Sequence, residues 1–275
     1  MENQTDIFNA GKKDRLFMQI FLFVLAVLWL IPIYSVLNNS LKVGGFNNYI
    51  YVITHPVQDV AFGFYFLNSL IVAAGSSFTV IAVCTLAGFA FSKIKFRGRN
   101  VIYNSVLMCL AVSGPIILVP VFFILKSMHL YNTYLAIILP QAVITIPFGV
   151  LMMKNFYDNL PVTIMESAYI DGATIGRIFT DIFFPLAKPA VINLGVLQIM
   201  WSFQEFLFPL MYLTKPKLYT ATVAINSFRG VYGIAGQNLG RYNAALVLIG
   251  VPAIIVFVLA QKYIIRGITS GAIKD

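Results

Sequence analysis

Gln198, Trp201, Ser202 and Glu205 are residue types that can hydrogen-bond to and stack on a solute. On a helix Gln198, Ser202 and Glu205 recur at i, i+4 and i+7, so they share one face, with Trp201 beside it. They sit in a long apolar run, and polar groups in such a run face a bundle interior or a water-filled cavity. Hydrogen bonds from the polar side chains plus stacking on the indole suit a polar solute with an apolar face. Packing against neighbouring helices is the competing use of the same stripe. A second set of chemistry-bearing residues lies just upstream in a polar segment: Glu166, Ser167, Ala168, Asp171, Gly172, Arg177, Ile182 and Pro185. Nothing catalytic competes with these two sets. His55 and His129 flank spans and read as boundary residues. Cys84 and Cys109 both fall in apolar runs, where a thiol is expected as a small buried hydrophobe rather than a disulfide or metal ligand. No metal site is expected. No G-x-x-x-x-G-K-[ST] phosphate loop occurs, so any ATP must be bound by another polypeptide.

The elements that position these residues follow from composition. The 275 residues are 59% hydrophobic and 11% charged, with a mean hydropathy of +0.85. A soluble domain carries about a quarter charged residues, so lipid must solvate much of this surface. Six segments approach the ~20 apolar residues a spanning helix needs: 16–37, 66–91, 101–125, 134–156, 187–213 and 243–265. The expected fold class is an all-α integral membrane protein with six transmembrane helices. The first run follows Lys12, Lys13 and Arg15 and exceeds a signal-peptide core, so it reads as a retained span. The net charge of +9 lies between the apolar runs. It reads as topology and not as a nucleic-acid surface. With the N-terminus inside, thirteen of the 19 basic residues fall on inner segments, densest at Lys93, Lys95, Arg97 and Arg99. That bias places both termini in the cytoplasm. Seven prolines lie within or at the ends of spans: Pro32, Pro115, Pro120, Pro140, Pro147, Pro209 and Pro252. Each frees a backbone carbonyl and is a candidate kink. The outer segment before the last span is rich in Gly, Tyr and Asn, including Gly230, Gly233, Gly236 and Asn238, and is expected as a loop at a pore mouth or partner surface.

Segment 157–186, between the fourth and fifth spans, is too long for a structureless link and has a helical grammar of its own. Thr163 followed by Glu166 predicts a capping box. Asp171-Gly172 predicts a break, because glycine takes the left-handed conformation that ends a helix. A second short helix is expected from about Thr174 to Phe183, before Pro185 and Pro189. Ile164, Met165, Ala168, Ile175, Ile178 and Ile182 form an apolar side that needs a covering partner. The result is a helix-turn-helix at the inner membrane surface.

Glu166-Ser167-Ala168, Gly172, Ile182 and Pro185 stand at the spacing of Glu-Ala-Ala, three residues, Gly, nine residues, Ile, one residue, Leu-Pro. This resembles the EAA loop of type I ABC importer permeases, with Ser167 and Phe184 departing from the pattern. Asn68-Ser69-Leu70, the Ala90-to-Arg99 stretch and the segment from Trp201 to Leu210 are similar to the carbohydrate branch, and 262–274 resembles the tail of maltose-type second permease subunits. Gln204 and Glu205 depart from that branch. The resemblance covers about 66–274 and divides the chain into 1–65 (N-terminus, first span and outer loop), 66–265 (permease core) and 266–275 (tail). It implies a subunit of the bacterial cytoplasmic membrane that carries no cofactor of its own and pairs with a second homologous permease. The coupling loop would dock on a cytoplasmic ATPase dimer that binds ATP and Mg, and an extracytoplasmic sugar-binding protein would deliver an oligosaccharide, with membrane lipid around the spans. A secondary transporter would need repeated halves and intramembrane charges. No repeat is evident, and Glu205 is the only acidic residue well inside a span. A permease for amino acids or peptides differs from this reading only at the span-two, span-five and tail similarities.

Overall fold

The computed structural model describes residues 12–232 and 237–272. The expected positions Gly233, Gly236 and Lys274 lie outside the described residues. Among the described residues the chain is helical, with a single isolated bridge between Val57 and Val60. Helix α1 (Lys12–Lys42) is followed by a short α2 (Asn47–Thr54) and a long α3 (Phe62–Lys93). Next come α4 (Arg99–Met108), α5 (Gly114–Ser127) and α6 (Leu135–Asp158). The segment after α6 holds α7 (Val162–Ile170), α8 (Ile175–Ile178), a π-helical turn at Phe179–Phe183 and α9 (Phe184–Leu186). The chain then runs through α10 (Lys188–Gln204), α11 (Leu207–Tyr212), α12 (Ala221–Tyr232) and α13 (Gln237–Ala272).

Four helices (α1, α3, α6 and α13) are long and apolar enough to cross a membrane unaided, and the count reaches six if α4 with α5, and α8–α9 with α10, are each one bent span. The third expected span is therefore a pair of helices bent by 105°, and α9 meets α10 at 73°. Pro115 and Pro189 stand at the start of the helix beyond each bend, where a missing N–H costs nothing. Pro32, Pro120, Pro140, Pro147 and Pro252 lie inside continuous helices, so most of the expected kinks are not chain breaks. The last helix also continues past residue 265, to Ala272. Of the segment before it, expected as an outer loop, 221–232 form α12 and Asn238 already belongs to α13.

Helices α3 and α6 form the centre. The most apolar stretch of α6 is 56% buried, whereas that of α1 is 0% buried. Small residues bring these backbones together. A Cβ on Gly88 would lie 2.6 Å from Met153 Cβ, one on Gly149 2.5 Å from Cys84 Sγ, and one on Gly75 2.7 Å from Ile138. Close approach of this kind is how helices gain dispersion energy where water provides no hydrophobic drive. Cys84 is buried at this seam as expected. Cys109 is not: it lies in the turn between α4 and α5 and is exposed, because the bend carries it to the bundle surface.

Asn68 fixes the opposite end of α3 from the 157–186 segment. Its amide donates to the Lys217 and Tyr219 carbonyls, both at 2.9 Å, and its Oδ1 accepts from Tyr134 OH at 2.7 Å. Ser69 Oγ accepts from Ala221 N at 3.0 Å. The Asn-Ser pair thus ties α3 to the segment that leads into α12.

Candidate functional site

The fifth expected span is interrupted at the centre of its polar stripe. Helix α10 stops at Gln204, and Glu205 is extended (φ −67°, ψ 125°). Pro209 has no N–H to offer the Glu205 carbonyl, which would otherwise be its helical partner. That carbonyl instead accepts from Thr222 Oγ1 on α12 at 2.8 Å. The Glu205 carboxylate closes the other side of the break: its Oε1 accepts from Leu207 N at 2.8 Å and Phe208 N at 3.1 Å. An anion among the free amides of a helix start is favourable. The reading of Glu205 as the third member of a continuous helical stripe is therefore corrected. It is the cap of a break, and the break exists because proline and a carboxylate make it cheap.

The break opens a cavity of about 500 Å³, and all four candidate residues line it: Gln198, Trp201, Ser202 and Glu205. The structure adds Gln141, Thr145 and Phe148 from α6. Gln198 and Gln141 are 1% and 6% exposed. Ser202 Oγ donates to Gln141 Oε1 at 2.9 Å, which links the two helices across the floor. Thr145 Oγ1 donates one turn back to the Gln141 carbonyl at 2.9 Å. Gln141 Nε2 and Gln198 Oε1 have no protein partner. A buried amide left unpaired costs about 1–3 kcal/mol, so these two atoms lack a partner that a packed core would normally supply. Phe148 and Trp201 meet edge to face, with ring centroids 5.4 Å apart. Sequence reasoning missed the α6 contribution, although Gln141, Thr145 and Phe148 show the same i, i+4, i+7 spacing as the α10 stripe.

Segment 157–186 folds as two short helices around a turn, as expected, but is held differently at its start. Helix α7 begins after Pro161, without a side-chain cap, and Thr163 lies inside it, so the capping box does not form. Proline at the helix boundary sets the extended entry that the threonine was expected to supply (φ −57°, ψ 138°). Glu166 is consequently exposed, with no hydrogen bond or ion pair among the described residues.

The far end is as expected. Gly172 has φ +77°. Its N–H bonds to the Tyr169 carbonyl and Ala173 N–H to the Ala168 carbonyl, each at 3.0 Å. That is the Schellman pattern, which requires a left-handed residue at this position. Thr174 then caps α8, its Oγ1 accepting from Arg177 N at 3.4 Å. Arg177 and Asp181 form an exposed ion pair at 3.4 Å, a geometry worth little to stability.

The apolar side of the pair does not wait for a partner. Met165, Ala168, Ile178 and Phe183 are buried against Phe89 of α3 and Met153 and Tyr157 of α6, with Ile164 and Ile182 packed at the margin. This corrects the expected exposed apolar side, of which Ile175 alone stays well exposed at 44%. The chain covers these residues itself because the ends of α3 and α6 project beyond the bundle to meet them. Polar contacts brace the same joint: Ser92 Oγ and Lys154 Nζ donate to Asp158 at 2.6 Å, and Lys93 Nζ donates to the Leu160 carbonyl at 2.7 Å. What remains outward is the turn itself, with Glu166, Ser167, Asp171 and Gly172 exposed around Ile170, which is 86% exposed. Pro185 is exposed where the segment turns toward α10.

Comparison with known proteins places this geometry. The chain is 34% identical over 228 residues to the trehalose/maltose transport system permease protein MalG of Thermococcus litoralis, covering 82% of this chain and 80% of that protein. It is 29% identical over 277 residues to the arabinooligosaccharides transport system permease protein AraQ of Bacillus subtilis, covering 94% and 96%. Its fold is similar to a chain in the crystal structure of a bacterial ABC transporter involved in the import of the acidic polysaccharide alginate. The TM-score there is 0.79 at 20% identity, with 92% of this chain and 98% of that one covered. Residues 85–270, which include the outward turn and the cavity-lining residues of α6 and α10, match the binding-protein-dependent transport system inner membrane components, and the chain belongs to that family.

Proposed function

We propose that this chain is one permease subunit of an ATP-driven sugar importer, with six spans, both termini in the cytoplasm and a separate ATPase docked on the turn at 166–172. The observation that carries the reading is the cavity at the broken span. Gln141 and Gln198, each with a buried and unpaired amide atom, line it together with an aromatic wall. Such groups in a membrane-embedded bundle mark a solute path rather than a packing core. The two bent pairs count as spans three and five. The second permease would complete the path, an extracytoplasmic binding protein would supply the sugar, and the ATPase dimer would hold ATP and Mg.

The outward turn supports the coupling half of the reading. Its apolar underside is already packed on α3 and α6, so a force applied to Ile170 or Gly172 is delivered to the central helices. Glu166, free of capping duty, is left to meet a basic residue of the ATPase.

The test is sugar uptake by reconstituted importer. Gln198→Ala and Gln141→Ala should each reduce uptake about five- to tenfold while the ATPase and the second permease still co-purify, since each removes a hydrogen-bonding group worth ~1–1.5 kcal/mol in the solute path. Normal uptake in both variants would mean that the amides serve packing and that the sugar is held elsewhere.

A further inference from the structure

We propose that the cavity at the broken span admits an uncharged saccharide and discriminates against an acidic one, with Glu205 as the discriminating group. The inference rests on the sugar reading above and adds the substrate's charge.

Three features of the cavity carry it. The first is the balance of hydrogen-bonding groups on the buried floor. The Ser202 hydroxyl proton is committed to Gln141 Oε1 and the Thr145 proton to the Gln141 carbonyl. Their oxygens are therefore left as acceptors, beside the unpaired Gln198 Oε1, while the donors left over are the side-chain amides of Gln141 and Gln198. A ligand hydroxyl donates and accepts, and satisfies such a floor from both sides. A ligand carboxylate only accepts, so it uses the amide donors and leaves the acceptors unmatched.

The second feature is charge. No lysine, arginine or histidine lines the cavity among the described residues, and its one ionisable group is the Glu205 carboxylate. Neither of the two ion pairs found among the described residues reaches this carboxylate. Both of its amide contacts fall on Oε1, and two amide dipoles soften a full negative charge without cancelling it. In a site with low-dielectric walls that charge repels a second carboxylate strongly. The third feature is the wall. Phe148 and Trp201 present apolar ring surface, which suits the C–H face of a pyranose and adds no charge of its own.

The test is equilibrium binding to the purified, assembled importer without nucleotide and without its binding protein, so that delivery does not set the selectivity. The probes are radiolabelled maltotriose, which is neutral, and a uronic-acid trisaccharide of the same length, at pH 7. Maltotriose should bind saturably and the uronate at least tenfold more weakly. Glu205→Gln should narrow that ratio several-fold, because glutamine Oε1 still accepts from Leu207 and Phe208 while the charge is gone. Co-purification of the ATPase confirms that the variant assembles, and the wild-type ratio stands as a test without any variant. Uronate binding as tightly as maltotriose, or a ratio unmoved by Glu205→Gln, overturns the charge inference alone. Failure of both sugars to bind overturns the sugar reading beneath it.

Discussion

Gly172 offers a perturbation whose cost within this chain can be separated from its cost at a partner. Its φ of +77° closes the Schellman turn after α7. A Cβ built there meets nothing within 4 Å. Inside the chain, substitution therefore carries a backbone penalty and no steric one. For alanine that penalty is about 1–2 kcal/mol. For asparagine it is smaller, since asparagine visits the left-handed region more readily. If the turn were only a surface loop, Gly172→Ala would be the more damaging variant and neither would disturb the ATPase. If a protein groove receives the turn, the order reverses. Asparagine projects three more heavy atoms than alanine into the groove, and Gly172→Asp adds a charge as well.

We expect ATPase co-purification to fall about twofold in Gly172→Ala and at least tenfold in Gly172→Asn and Gly172→Asp, tenfold being about 1.4 kcal/mol of docking free energy. The assay is pull-down of the ATPase on a tagged chain from detergent extract, with membrane level and recovery of the second permease as controls. Sugar uptake should fall in the same order. Wild-type ATPase recovery in Gly172→Asp, or a larger loss in the alanine variant than in the asparagine one, would refute the docking argument.

Two further outcomes follow from the packing and the topology. Gly88→Val should lower the thermal midpoint of the purified complex, because a Cβ there lies 2.6 Å from Met153 Cβ and 3.0 Å from the Lys154 backbone nitrogen. Overpacking of this kind costs about 1–3 kcal/mol, whereas Gly63→Ala, which meets nothing within 4 Å, should leave the midpoint within error of wild type. Reporter fusions at Asn48 and Lys217 should read as outside and fusions at Arg97 and Ile170 as inside, and an inside signal at Lys217 would reject the six-span arrangement.

Much of this was legible before any coordinates because it depends on short-range chemistry. Apolar runs of spanning length, Gly172 as a helix terminator and Thr174 as the start of the next helix each follow from residues within a few positions of one another. So did the polar face of α10, since Gln198 and Ser202 are one turn apart. Where another local signal competed, the reading failed: Thr163 and Glu166 spelled a capping box, but Pro161 fixed the helix start first.

The tertiary structure alone decided what lies across from what. Glu205 and Pro209 are four residues apart, and the proline's effect on that carbonyl was readable. That the break is tolerated depends on Thr222, seventeen positions away on another helix. Gln141 becomes part of the site only because α6 packs beside α10 and Ser202 reaches it. The underside of the 157–186 segment looked like a surface awaiting a partner because its periodicity shows an apolar face without showing what faces it. Helices α3 and α6 supply that cover, held at contact by Gly75, Gly88 and Gly149. Sequence spacing reports which residues share a face, and the identity of the opposing face is a property of packing across the bundle.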